Sequence, residues 1–92
     1  MIVFVTQSNN DDNVICELHG FSLLYYKNEG FYIRNDTSGV QRIVLIADTN
    51  DNNSVMEMVI KVFKRAVYNT PYNSLTAISH LLQNYWLRNV TE

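Results

Sequence analysis

Val40-Gln-Arg-Ile-Val-Leu-Ile-Ala-Asp-Thr-Asn-Asp-Asn-Asn-Ser-Val-Met-Glu-Met-Val-Ile-Lys-Val-Phe-Lys-Arg-Ala66 contains the change of pattern on which the fold turns. Its first part holds the continuous apolar run Ile43-Val-Leu-Ile-Ala47, which predicts a strand buried on both sides, as in the middle of a sheet. After Asp48–Asn53 the apolar residues recur at helical spacing instead. Val55, Val59, Val62, Phe63 and Ala66 fall on one side of a helix, and Glu57, Lys61, Lys64, Arg65 and Tyr68 on the other. Ser54-Val-Met-Glu57 reads as a capping box, in which the Ser hydroxyl and the Glu carboxylate each satisfy a backbone amide of the first turn. The cations gather in the later turns, where they suit the helix dipole.

Towards the N-terminus every segment is strand-like. Ile2–Gln7 is β-branched and aromatic, and Asn9–Asn13 supplies residues that tolerate a left-handed turn. Val14, Cys16 and Leu18 alternate with Ile15, Glu17 and His19, which predicts two opposed faces. Gly20 marks a bend or bulge. Ser22–Lys27 and Phe31–Asn35 flank Asn28-Glu29-Gly30, a three-residue hairpin loop with glycine in the left-handed position. Asn35-Asp-Thr-Ser-Gly39 is a further turn.

Towards the C-terminus, Thr70-Pro71 reads as the cap and first residue of a second helix. Leu75, Ile78, Leu82 and Tyr85 form its inward stripe, widened by Leu81, Trp86 and Val90. The expectation is one α+β domain spanning 1–92, strand-rich over 1–47 and helical over 54–90. A largely antiparallel sheet of about five strands is packed by two C-terminal helices.

Composition narrows the class. Apolar residues make up 47% of the chain, with six Tyr, four Phe and Trp86, which is material for a packed core rather than a disordered segment. Cys16 is the lone cysteine, so an internal disulfide is excluded, and the short apolar start lacks the basic region of a signal peptide. These features place the protein in the cytoplasm with a reduced thiol. The Asn-X-Ser/Thr sequons at Asn35, Asn52 and Asn89 read as chance matches in an Asn-rich chain.

The net charge is −2, but it is unevenly spread. Asp11, Asp12, Glu17, Glu29, Asp36, Asp48, Asp51 and Glu57 face only Lys27, Arg34 and Arg42 in the first 57 residues. Beyond them Lys61, Lys64, Arg65 and Arg88 face only Glu92. Such asymmetry points to partners.

No pattern of catalytic or metal chemistry emerges. Cys16 and His19 are expected on opposite faces of a strand, and a structural zinc site needs about four ligands, so neither metal nor cofactor is expected. Asp36-Thr-Ser-Gly39 superficially matches the active-site turn of aspartic proteases, yet an Asx-type turn accounts for it. The Asp48–Glu57 loop places Asn53 and Val59 where a calcium loop needs glycine and a bidentate Glu. The isolated glycines make no phosphate loop.

Two surfaces remain. Asp11, Asp12, Asp48, Asp51 and Glu57 form a candidate acidic surface that steers a basic protein partner, such as a DNA-binding host protein, by mimicking duplex phosphates. Lys61, Lys64 and Arg65 form the alternative, a basic patch for a small nucleic-acid-binding regulator. Tyr25, Tyr26 and Tyr32 lie on neighbouring strands, so some rings must face away from the helices, where a homodimer would bury them.

Asn-rich turns (Asn9-Asn10, Asn50, Asn52-Asn53), short length and a compact acidic β half resemble the small early proteins of T4-like phages that disarm host enzymes. The resemblance implies a non-enzymatic inhibitor, of anti-restriction type, that occludes a macromolecular partner in the host cytoplasm. It transfers no site residue.

Overall fold

The computed structural model describes residues 12–46, 53–71 and 74–91. The expected strand Ile2–Gln7 lies outside them, as do Asp11, Asp48 and Asp51. Four strands, β1 (Val14–Leu18), β2 (Phe21–Tyr26), β3 (Gly30–Asn35) and β4 (Gln41–Leu45), are followed by helices α1 (Asn53–Tyr68) and α2 (Leu75–Thr91). The strands form an antiparallel meander in the order β1-β2-β3-β4. This is the expected α+β architecture.

Both helices pack on one face of the sheet. Contacts place α1 over β1 and β2, and α2 over β3 and β4. Phe21, Leu23, Phe31, Ile33 and Val44 meet Val59, Val62, Phe63, Ala66, Val67, Ile78 and Leu82 in one apolar core. The helical stripes therefore read correctly, with Val55, Leu75, Leu81, Tyr85 and Trp86 half-buried against the core, apart from Val90, which is exposed. Val67 joins the buried side of α1 because it lies four residues beyond Phe63.

β4 departs from its predicted role. Among the described residues it is an edge strand, with Arg42 and Ile43 exposed and Val44 buried. A short apolar run does not distinguish a central strand from an edge strand that points one row into the core. A second departure is a bulge in β1. Val14 pairs with Leu24, but Cys16 pairs with Leu23, leaving Ile15 as the extra residue. The bulge puts Val14 on the far face, while Ile15, Cys16 and Leu18 all pack against the core, so strict alternation fails.

The turns explain the register. His19 at φ 53° and Gly20 at φ 86° make the two-residue connection from β1 to β2, with the paired positive angles of a type I′ turn. His19 is thus a turn residue and not a strand residue. Between β2 and β3 the loop comprises Lys27-Asn28-Glu29, with Tyr26 opposite Gly30. The left-handed position belongs to Asn28, at φ 69°. Gly30 stands instead at φ 125°, where an added Cβ would run into the Leu45 carbonyl oxygen.

The helix starts also differ from expectation. α1 begins at Asn53, so Ser54 lies inside the first turn and the cap falls outside the described residues. The cap of α2 is Ser74, whose hydroxyl accepts the Ala77 amide at 3.1 Å. Thr70 closes the preceding helix instead, donating its hydroxyl to the Ala66 carbonyl at 2.7 Å.

Candidate functional site

The outward stripe of α1 and the adjoining end of α2 bound a groove of about 450 Å³, lined by Ser54, Glu57, Met58, Lys61, Val62, Arg65 and Asn89. Helical geometry builds it: Glu57, Lys61 and Arg65 are one turn apart, and therefore project in a row. Val62 is buried at its base, and Met58 is 37% exposed beside it. Charge along the row runs negative, positive, positive.

Arg65 is the most constrained side chain here. Its guanidinium carbon stands 4.5 Å above the centre of the Tyr85 ring. Tyr85 is held in turn, its hydroxyl accepting the Asn69 side-chain amide at 3.1 Å. A cation held over a ring in this way keeps its N–H donors available to a further partner. No described carboxylate pairs with it.

Lys61 joins Arg65 in the groove, as the basic-patch reading expects, but Lys64 does not line it. Lys64 acts on Cys16 instead. Burial pushes the Cys16 thiol above its ordinary range, the Lys64 ammonium partly offsets that rise, and Glu17 adds to it. His19 makes an edge-on contact with Tyr68, with ring centres 5.3 Å apart. Among the described residues no cluster of His, Cys, Asp or Glu is arranged to hold a metal ion. No helix among them is long and apolar enough to cross a membrane.

Of the five residues of the expected acidic surface, Asp12 and Glu57 are described. Both are exposed, but Glu57 lies in the groove with Lys61 and Arg65. Two further acids are engaged within the fold. Glu29 accepts the Tyr32 hydroxyl at 3.1 Å, which raises the Tyr32 pKa. Asp36 accepts the hydroxyl of fully buried Ser22 at 2.8 Å and Arg34 Nε at 3.2 Å. The Asx turn is present here but belongs to Asn35, whose side-chain oxygen accepts the Thr37 amide at 2.9 Å. The Asp36 amide donates to the Gly20 carbonyl, tying this turn to the β1–β2 turn.

The tyrosines divide between the two faces. Tyr25 packs on Phe31 on the helical side, whereas Tyr26 and Tyr32 meet edge-on, 5.0 Å apart, on the far side. That far face also buries Leu24 and Ser22 completely.

Sequence reasoning placed Lys61 and Arg65 on a solvent face but missed Met58, Asn89 and the Tyr85 stack. Spacing within α1 shows the charged row, while the contribution of α2 depends on how the helices pack. No family model, curated protein or solved structure matches this chain, so its own geometry carries the functional reading.

Proposed function

We propose that this chain is a binding protein that acts by contact, occluding or inhibiting a macromolecular partner rather than transforming a substrate. The observation that carries this reading is the open helix–helix groove, where a ring-stacked Arg65 and Lys61 adjoin exposed Met58. Charged donors fixed beside an apolar contact are the components of a protein interface. The resemblance in size and Asn-rich turns to early phage inhibitors suits an anti-host role in the host cytoplasm.

The acidic, DNA-like version draws less support, since Glu57, one of its residues, sits beside cations. A nucleic-acid-binding regulator is the second reading, favoured by the exposure of Lys61, Lys64 and Arg65 on one helix.

Affinity capture from bacterial lysate with mass spectrometry separates these readings. The intact chain is expected to retain a specific protein, and Lys61→Glu/Arg65→Glu to lose it. Loss on Asp48→Asn/Asp51→Asn instead would restore the acidic surface as the contact. Tight oligonucleotide binding by fluorescence anisotropy, abolished by Lys61→Ala/Lys64→Ala, would transfer the function to nucleic acid. Capture of nothing specific would overturn the contact reading.

A further inference from the structure

We infer that the α1–α2 groove receives an amphipathic segment of a protein partner, carrying an apolar side chain and a carboxylate one to two helical turns apart. The inference rests on the contact function proposed above and names the chemistry of its partner.

Three features define the occupant. Arg65 is fixed by the Tyr85 ring, and Tyr85 by Asn69, so a planar cation is held in place before anything binds. A stacked guanidinium offers its edge, and two parallel N–H donors on an edge match the two oxygens of a carboxylate. Lys61, one turn away on the same row, adds a second positive charge.

Met58 and Val62 form the apolar part, and they precede Arg65 along the helix by seven and three residues. An apolar anchor seated there lies one to two turns from a carboxylate on Arg65, about 4.5 Å along the helix from Val62 and about 10.5 Å from the more exposed Met58, given ~1.5 Å of rise per residue. Methionine suits such a seat because its flexible thioether adapts to the anchor.

Glu57 decides between protein and nucleic acid. Its carboxylate stands in the same groove, one turn before Lys61. It repels a phosphate backbone, which carries one sign of charge throughout, but complements a peptide that has a basic residue beyond its apolar anchor. The net charge of −2 works in the same direction.

The test is selection from a phage-displayed library of random 12-residue peptides on the immobilised full-length chain, followed by fluorescence anisotropy of the best peptide. Enriched peptides are expected to pair an apolar residue with Asp or Glu three to seven positions away. Arg65→Ala should weaken binding at least tenfold. Arg65→Lys should leave it between wild type and Arg65→Ala, because it keeps the charge and loses the planar fork. Circular dichroism melts confirm that both variants fold.

Enrichment of peptides without acids, or affinity indifferent to Arg65→Ala, would overturn the inference. So would a 12-base-pair DNA duplex that binds as tightly as the peptide in an Arg65-dependent manner. Sedimentation showing a dimer that Arg65→Ala dissociates would give the groove to a second copy of the chain. Should lysate capture survive Arg65→Ala while peptide binding is absent, this site falls and the contact function stands.

Discussion

Gly30 and Gly20 both have positive φ, but different physics holds them there. Gly20 has open space where a Cβ would project, so Gly20→Ala meets only backbone strain, about 1–2 kcal/mol. At Gly30 the new methyl would collide with the backbone at Leu45, the last residue of β4, and at Ile46 just beyond it, and the strand must move. Gly30→Ala is expected to cost roughly 3–4 kcal/mol, and urea denaturation of the two variants should show that gap. Cys16 supplies a pH prediction. Its raised pKa means that the folded chain keeps a proton which the unfolded chain releases. The stability from this group is therefore complete below the ordinary thiol range and is lost as pH climbs through it. Cys16→Ala should lose less stability between pH 7 and pH 10 than the parent chain does, as measured by paired urea melts. Equal losses would show that the thiol has no part in it.

At the level of elements, hydrogen bonds at helix ends and bulges set the boundaries. Ser74 caps α2, and Ser74→Ala should cost about 1 kcal/mol by thermal melting, because the Ala77 amide loses its acceptor. β4, an edge strand among the described residues, has a bulge of its own: Phe31 pairs with Leu45 and Tyr32 with Ile43, so Val44 is the extra residue. Gln83 of α2 donates its side-chain amide to the Val44 carbonyl at 3.0 Å, and Arg42 donates to Thr76 at 3.3 Å. The helix thus ties down an edge whose ladder is interrupted. Gln83→Ala should lower stability by about 1 kcal/mol and speed amide exchange in β4 more than in β2. Uniform acceleration across the sheet would mean that Gln83 acts only through global stability.

At the scale of the molecule, a single core among the described residues joins two helices to four strands, so loss of one large side chain is felt throughout them. Leu82 and Phe63 are completely buried and belong to the same cluster. Leu82→Ala is expected to cost about 2–5 kcal/mol, a large part of the stability of so small a domain. Calorimetry should show one cooperative transition displaced downward by roughly 10–30 °C. Two separate transitions would mean that the sheet and helices do not share this core.

The switch at Asp48–Asn53, the helical spacing of Val59, Val62, Phe63 and Ala66, and the hairpin signals around Gly20 and Gly30 follow from local periodicity and turn chemistry. They were enough to determine an antiparallel sheet followed by two helices. The row Glu57, Lys61, Arg65 was also legible, because residues one turn apart on a helix share a side. Where β4 sits in the sheet was not, because an apolar run records burial and not how many neighbours surround it. Nor were the extra residues at Ile15 and Val44, the transfer of the α2 cap from Thr70 to Ser74, or the placing of Arg65 on Tyr85. Each of these depends on a partner distant in sequence, and only the packed chain determines which partner lies within reach.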